Sequence, residues 1–438
     1  MDVGILEKVV QSIRKCGADQ VDVLCSESNT ISVTTRLAKL EKIVKSDITS
    51  VKMRVSIGKK SAIVSTDSLD ELQKESFIEK VVSAAKNSPE EPVAFRPKVD
   101  QLCKAPEKID ICDPREVSLD ELIAKAIECE EEALQVKGIT NSEGAQASHF
   151  RSKFMLLKNN DFSASYEKTF NQLSIVTLAE KDGFLERDFD ITEAIYHSDL
   201  KDAKKLAHCS AERTLKRLGA KKIKSCKVPV VFDRRVAGQL LCSLVEAVNG
   251  AAVAKNISFL KDKLHKKVFG DSINVIDRYA IPRGLRSRPL DSEGLACTDN
   301  SVIKNGVLNL FLLNTKYANL LQMTSTRNAE GFEGISPHNI YIENGKNSFS
   351  DLLKSVKYGL YVVEVMGNGL NLVTGNYSQG AVGFLIENGE ITSPVNEITI
   401  AGNFLEMFSR CLPASDLKME FGIDSPTLLI DEIVVGGN

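Results

Sequence analysis

The sequence has little of several features that would assign a functional class directly. Basic residues are not in excess, because 56 lysines and arginines stand against 59 aspartates and glutamates, for a formal net charge of -3. Nucleic-acid binding favours a concentrated positive field, so we expect no direct contact with nucleic acid. No apolar run approaches the roughly 20 residues that cross a bilayer, and no basic segment with a long apolar core opens the chain. The sequence therefore predicts a cytoplasmic protein without membrane association.

Paired cysteines are missing as well. The ten cysteines are scattered singly from Cys16 to Cys411, and none forms a C-x-x-C pair. This spacing is not that of a structural zinc site or a redox motif. In a long chain that is not exported, single cysteines are typical of a reducing compartment, where most are small buried apolar residues. We therefore expect ordinary thiols.

Length and pattern predict two domains. At 438 residues the chain is too long for one ordinary core. The first half alternates helical and extended patterns, and two long alternating runs meet at Asn159-Asn160-Asp161, which indicates a hairpin. A basic, polar stretch at residues 220–227 marks the boundary. We predict an N-terminal α/β domain with a mixed or antiparallel sheet at residues 1–220, and a second domain at residues 221–438.

The second domain is predicted to be β-rich and barrel-like. Asn305-Gly306 and Asn388-Gly389 each lie between apolar runs, and Asn-Gly supplies the positive φ angles that tight hairpins require. One long helix stands out, at about residues 235–254. The fold class expected for the whole chain is therefore α+β.

Four blocks of the second half, in order, carry a family resemblance. They are residues 232–250, which begin Phe-Asp-Arg-Arg-Val-Ala-Gly and end Leu-Val-Glu-Ala-Val-Asn-Gly; residues 285–294, Leu-Arg-Ser-Arg-Pro-Leu-Asp-Ser-Glu-Gly; residues 367–381, Gly-Asn-Gly-Leu-Asn-Leu-Val-Thr-Gly-Asn-Tyr-Ser-Gln-Gly-Ala; and residues 394–403, Pro-Val-Asn-Glu-Ile-Thr-Ile-Ala-Gly-Asn. Together they resemble the TldD/PmbA metalloprotease family, on its PmbA (TldE) side. The first half is similar to the family only in length and layout.

The resemblance implies a metal-binding helix whose ligands are missing. In the TldD branch, the positions that match residues 245–250 carry His-Glu-x-x-x-His, whose histidines bind zinc and whose glutamate serves the attacking water. Here Val245 and Gly250 stand at the histidine positions, and only Glu246 remains, as a vestigial base. The family's third ligand is a cysteine near the C-terminus, and residues 420–425 hold none. The resemblance thus implies that this chain binds no cofactor and that zinc belongs to a TldD-type partner.

A replacement metal site is not expected. His265 lies among lysines that disfavour a cation, and His338 has no partner at ligand spacing. Cys242 lies one turn before Glu246 and is interpreted as a packed thiol on the same face. Positions five residues apart lie about 140° apart around an ideal helix, so the family's motif requires a local distortion such as a π-type bulge.

Two further groups are candidate sites. The resemblance places residues 367–375 toward an interior peptide channel, where exposed backbone could pair with an extended substrate; the alternative is a sharply bent strand connection. The channel candidates are Gly367, Asn368, Gly369, Asn371, Thr374, Gly375 and Ser378. Arg283, Arg286 and Arg288 are candidates for anchoring carboxylates or carbonyls at a subunit interface, with a solvated loop as the alternative.

The resemblance implies a subunit without catalytic activity of its own. The family is one of metallopeptidases, but this chain alone is expected to be inactive and to form a heterodimer with a TldD-type catalytic subunit, or a homodimer when alone. The implied substrates are small or unfolded peptides. Two alternatives stay open. One is a stand-alone regulatory protein, as the family's association with DNA gyrase modulation suggests. The other is a hydrolase that uses Ser258, Ser287 or Cys297, although none lies in a G-x-S-x-G context.

Overall fold

The computed structural model describes residues 3–159, 162–367 and 369–437. Asn160 and Asp161 of the predicted hairpin turn, and the channel candidate Asn368, lie outside these residues. The chain has a mixed α+β fold, which confirms the fold class expected from the sequence.

The N-terminal half is built on one antiparallel sheet with the order β3-β2-β1-β4-β5-β6. Its strands are β1 (Gln20–Arg36), β2 (Lys39–Ile57), β3 (Lys60–Thr66), β4 (Asn141–Lys158), β5 (Phe162–Lys181) and β6 (Phe184–Ala194). The helices are α1 (Val3–Lys15), α2 (Leu69–Leu72), α3 (Glu75–Asn87), α4 (Leu119–Leu134) and α5 (Ala203–Arg217), with short 3-10 turns at Val99–Gln101 and His197–Asp199.

All the long helices of this half cover the same face of the sheet. Val23 and Met155 pack against α1 and α3, and Ala147 and Leu173 pack against α4 and α5. Because side chains alternate along a strand, these odd-numbered positions point to the helices and the even-numbered ones to the opposite face. That opposite face is turned toward the C-terminal half.

The C-terminal half contains a closed five-stranded barrel and a second five-stranded sheet. The barrel order is β16-β15-β14-β7-β19, and β16 also pairs with β19, which closes it; β17 extends β19. The second sheet has the order β10-β9-β8-β13-β18. The strands are β7 (Cys226–Phe232), β8 (Val275–Arg278), β9 (Asn300–Lys304), β10 (Val307–Leu308), β11 (Ala329–Glu330), β12 (Gly334–Ile335), β13 (Asn339–Ile342), β14 (Tyr358–Met366), β15 (Asn376–Glu387), β16 (Glu390–Asn403), β17 (Cys411–Pro413), β18 (Ile423–Asp424) and β19 (Leu428–Gly436).

Helices are short in this half, apart from α6. They are α6 (Arg234–Ala247), α7 (Gly250–Ala254), α8 (Thr315–Leu320), α9 (Phe349–Lys354) and α10 (Phe404–Ser409). Both predicted Asn-Gly hairpins are confirmed, because Asn305-Gly306 joins β9 to β10 and Asn388-Gly389 joins β15 to β16, all four with positive φ. The side chains inside the barrel and under α6 form one core, with Phe232, Phe404 and Phe408 among its largest members.

A buried charge network joins the two halves. Asp188 of β6 contacts Arg217 at 2.8 Å, at the end of α5, and Arg235 at 3.0 Å, in the first turn of α6. Arg217 also contacts Glu364 of β14 at 2.5 Å. The side chain of Asp188 is 1% exposed and contacts both arginines, whose other carboxylate partners, Glu364 and Asp233, are 22% and 23% exposed. Through this network the N-terminal sheet sets the position of α6.

Of the ten cysteines, four are buried, four are half-buried and two are exposed, so the expectation that most of them are buried is wrong. All ten cysteines are free thiols. Among the described residues, no helix is both long enough and apolar enough to cross a membrane.

Candidate functional site

The helix that the resemblance aligns with the family's metal motif is broken within the aligned positions. Asp233 caps α6, since its side chain accepts a hydrogen bond from the Arg235 amide, and α6 ends at Ala247. Asn249 then caps α7 by accepting from the Ala251 amide. The prediction of one helix over residues 235–254 is therefore wrong. An asparagine side chain competes for backbone donors and favours a cap over a helix interior.

The three motif positions have very different surroundings. Val245 is half-buried and packs against the barrel core, whereas Glu246 is exposed to solvent. Gly250 is buried, and its amide donates to the Leu312 carbonyl oxygen at 2.8 Å. A Cβ atom at Gly250 would lie 2.3 Å from Cδ2 of Leu313 and 2.9 Å from the Leu312 carbonyl oxygen. The second histidine position is therefore filled by the segment that precedes α8.

The side chains present do not fit a zinc ion. A catalytic zinc site needs about three protein ligands of the His, Cys or carboxylate type. Within the described ranges, no group of three or more such side chains lies close enough together to hold a metal. His265 is exposed, and His338 is fully buried with Nδ1 2.9 Å from Oδ2 of Asp277. We therefore assign no step of chemistry in this chain to a metal.

A cavity of about 340 Å³ lies beside α6 on the side that faces the N-terminal sheet. It is bordered by Gly238 and Cys242 of α6, by Phe189 and Ile191 of β6, and by residues 418–425. Its charged groups include Arg234, Arg286, Glu420 and Asp424. Arg234 is paired with Glu420 at 3.3 Å, and the Asp424 carboxylate accepts from the amides of residues 420–422. The cavity therefore offers both signs of charge next to the edge strand β6.

Burial affects the one carboxylate of this cavity that is nearly enclosed. Asp424 is 4% exposed, and desolvation raises the pKa of its carboxyl group although three backbone amides oppose the shift. Cys242, which was interpreted as a packed thiol, is instead exposed at the cavity. Cys242 and Glu246 do share one face of α6, as their spacing of four residues predicts.

The three candidate arginines bind groups of their own chain. Arg283 contacts Asp199 at 2.9 Å and Asp110 at 3.2 Å, and its guanidinium lies 3.7 Å from the centre of the Tyr196 ring. Arg286 donates to the Pro337 carbonyl oxygen. Arg288 donates to the Ser336 carbonyl oxygen and pairs with Glu330 at 2.9 Å. The arginines thus anchor carboxylates and carbonyls, and the contacts described lie within one chain.

Residues 369–375 of the predicted channel loop form a compact turn. The Asn371 side chain accepts from the amides of Val373 and Thr374, and Gly375 has a φ of +76°. The Phe259 amide donates to the Leu372 carbonyl oxygen at 2.7 Å, which ties the loop to the segment after α7. The side chains of Asn371, Thr374 and Ser378 are exposed, as is Gly367, whereas Gly369 is half-buried and Gly375 is buried.

The three nominated nucleophiles are all enclosed. Ser258 is 2% exposed and donates to the Ala247 carbonyl oxygen at 2.6 Å. Ser287 is fully buried and donates to the Ile281 carbonyl oxygen. Burial raises the pKa of the Cys297 thiol to about 12, which keeps it protonated at neutral pH. Each of these side chains has a structural role where it stands.

The sequence reasoning missed Asp188, which carries the charge network at the start of α6. A signal was present, because Asp188 and Asp190 occupy the buried positions of a strand that otherwise alternates. An acid at an inward position of a strand requires a partner, and that requirement points to a buried cation.

Two family models match this chain. The PmbA/TldA metallopeptidase C-terminal domain matches residues 225–437, and the central domain of the same family matches residues 112–218. Metalloprotease PmbA of Escherichia coli O157:H7 is 33% identical across an alignment of 439 positions, which covers 99% of this chain and 96% of that protein.

Solved structures share the fold over the full length. A protein from Bacteroides thetaiotaomicron described as a candidate modulator of DNA gyrase superposes with a TM-score of 0.91 at 23% identity, covering 99% of this chain and 98% of that one. TldE from Thermococcus kodakarensis superposes with a TM-score of 0.87 at 20% identity, covering 99% of this chain and 100% of that one. At these sequence identities the two structures show that the fold is shared, and they do not show a shared function.

Proposed function

The chain belongs to the PmbA/TldA (TldD/PmbA) metallopeptidase family, and from that premise we propose that it is a metal-free subunit of a zinc peptidase. In this proposal a TldD-type chain holds the zinc and carries out hydrolysis. The present chain completes the wall of the chamber in which small or unfolded peptides are cut, and the pair acts in the cytoplasm as a heterodimer.

The observation that carries the proposal is the lack of space for a side chain at Gly250. Its position is closed by Leu312 and Leu313, so a ligand side chain is not only absent but has no room. Val245 at the other histidine position has no donor atom for a metal. Glu246 remains exposed on α6, and without an activated water it has no catalytic partner.

The surroundings of the motif support partnership over decay. The cap at Asp233, the network around Asp188 and the cavity beside α6 are all in place. The cavity places charges of both signs beside the edge strand β6. Backbone groups of an edge strand can pair with an extended peptide without regard to its sequence, which suits a wall for unfolded substrates.

The experiment compares the chain alone with the chain plus a TldD-type protein. Alone, the purified chain should hold no stoichiometric zinc and cleave no unstructured peptide. The mixture should cleave such peptides, and a chelator should abolish the activity. Tightly bound zinc in the isolated chain, or cleavage by it, would overturn the proposal.

A pair of matched variants assigns the division of labour. Glu246→Gln in this chain should leave the activity of the mixture unchanged, because Glu246 has no metal beside it. The equivalent glutamine substitution in the His-Glu-x-x-x-His motif of the TldD-type protein should abolish activity. Loss of activity from the Glu246 variant would place catalysis in this chain and contradict the proposal.

A further inference from the structure

A second cavity lies on the sheet face that the N-terminal helices leave uncovered. Two rows of even-numbered side chains cross β2, β1, β4 and β5 there. The pairing register places one row at Lys52, Leu24, Leu156 and Ala164, and the next at Ser50, Ser26, Phe154 and Tyr166. Directly paired residues have Cβ atoms about 4.5–5.5 Å apart, so each row is a continuous strip of contacts.

The C-terminal half forms the other wall of this cavity. Arg288, Leu290, Asp291 and Ser292 lie across from the sheet, together with Glu330 and Gly331. The volume of this half-open cavity is about 210 Å³. That is about seven times the ~30 Å³ that one water molecule occupies in the liquid, and it is below the ~300 Å³ at which drug-sized pockets begin. The cavity therefore suits a ligand of about the size of one amino acid.

The polar groups on the sheet side have no partner of their own. Among the described residues, the Lys52 ammonium forms no ion pair or hydrogen bond, and the hydroxyl groups of Ser26, Ser50 and Tyr166 form no hydrogen bond. Lys52 and Ser50 are neighbours on the same face of β2, and Ser26 is paired with Ser50. An ammonium group beside two hydroxyl donors is a suitable site for a carboxylate.

The opposite wall carries one cation, Arg288, and two carboxyl groups, those of Asp291 and Glu330. Glu330 is paired through Oε2 with Arg288 at 2.9 Å, and its side chain remains 57% exposed, so a carboxylate oxygen is available to a cation. Between the two charged ends, the floor is apolar. It is lined by Leu24, Leu156 and the stacked rings of Phe154 and Tyr166, whose centroids are 5.1 Å apart.

We propose that this cavity binds a free α-amino acid with an apolar side chain. Its carboxylate meets Lys52, Ser50 and Ser26, its ammonium group meets Glu330, and its side chain lies on Leu24, Leu156 and the two rings. Each part of the ligand matches a part of the cavity that has no other partner or that keeps an open face. The assignment concerns this chain by itself and does not depend on the proposed role in a peptidase.

The test is isothermal titration calorimetry of the full purified chain with four probes. Leucine and phenylalanine should bind, and N-acetylleucine and leucinamide, which each lose one charge, should bind at least about tenfold more weakly because one charge-assisted contact is lost. Equal binding of either blocked probe would overturn the assignment. So would the absence of any heat with leucine and phenylalanine at about 10 mM, a concentration that would reveal millimolar affinity.

Two variants and one control locate the site. Lys52→Gln should weaken leucine binding about tenfold or more, and Ser26→Leu, which fills the cavity from a half-exposed position, should abolish it. Lys42→Gln is the control, because Lys42 is exposed on the same face of β2 but outside the cavity. Circular dichroism shows whether each variant is folded. Folded variants that all bind leucine as tightly as the wild type would place the ligand elsewhere and contradict the proposal.

Discussion

Rebuilding the family's metal motif in this chain should fail, and the reason is steric. The double substitution Val245→His and Gly250→His restores the letters His-Glu-x-x-x-His. We expect no zinc site, because a Cβ atom at position 250 would lie 2.3 Å from Cδ2 of Leu313 and 2.9 Å from the Leu312 carbonyl oxygen. A carbon atom at these distances is well inside van der Waals contact, so the segment before α8 would have to move.

That segment is held in place by backbone hydrogen bonds. Gly250 donates to the Leu312 carbonyl oxygen at 2.8 Å, and Leu312 donates to the Val248 carbonyl oxygen at 2.9 Å. Overpacking a well-packed core costs about 1–3 kcal/mol, while glycine to alanine in a helix gains about 1 kcal/mol. Gly250→Ala should therefore lower the free energy of unfolding by up to about 2 kcal/mol. Histidine at this position should lower it further.

The assay is urea unfolding followed by circular dichroism or tyrosine fluorescence, since the chain contains no tryptophan. A chelator in the buffer removes any stabilisation by bound metal. Zinc content after dialysis is measured separately. Gly238→Ala is the matched control, because Gly238 lies in α6 and its added Cβ would be no closer than 3.4 Å to another atom, the Ile423 carbonyl oxygen. The control should be neutral or slightly stabilising.

One result would refute this reasoning. If the Val245→His/Gly250→His variant bound one zinc per chain and unfolded at the same urea concentration as the wild type, the space at position 250 would not be closed. In that case the chain would lack only the metal ligands and not the space for them.

Three more outcomes are expected. Asp188→Asn should lower the free energy of unfolding by about 1.5–3 kcal/mol, since Arg217 and Arg235 lose their most buried partner but keep Glu364 and Asp233. Asp271→Asn, which removes an exposed pair with Lys267, should change it by less than about 0.5 kcal/mol in the same urea assay. Burial, and next the charge of Asp291, raises the pKa of Glu293 to about 7. The folded chain thus keeps a proton that the unfolded chain releases near its usual pKa of 4.5, and stability falls as pH rises between these values. Glu293→Gln should flatten that decline in urea midpoints measured from about pH 5 to pH 8, and an unchanged slope would contradict the assignment. Ser258→Ala should lower stability by about 1–3 kcal/mol, because the Ala247 carbonyl oxygen loses its donor, while peptide cleavage by the mixture with a TldD-type protein stays unchanged.

Features that depend on neighbouring residues could be predicted. The Asn388-Gly389 turn was recognised because both residues adopt positive φ, which asparagine and glycine tolerate best. The end of α5 before Gly219, which has a φ of +78°, follows the same rule. The apolar spacing of the α6 segment also predicts a helix, although that helix was expected to run on to residue 254.

Features that depend on residues far apart in the sequence could not be predicted. No sequence pattern near Asn249 indicates that the backbone of Leu312 lies beside it or that a new helix begins at Gly250. The partners of Asp188 come from α5 and α6, and the cavity with Lys52 needs a wall from residues 288–292. Such contacts join segments whose separation along the chain carries no local pattern.

The sequence by itself therefore determined the family, the α+β class, the local turns and the residue types at positions 245–250, since each depends on residue types at fixed spacing. Only the tertiary structure decided whether the space at position 250 is open or closed. The answer depends on a Cβ-sized volume at Gly250, and that volume is occupied by side-chain and backbone atoms of Leu312 and Leu313, which the fold brings there from outside the motif. Packing of this kind has no signature in one stretch of sequence, because it depends on two segments meeting in space.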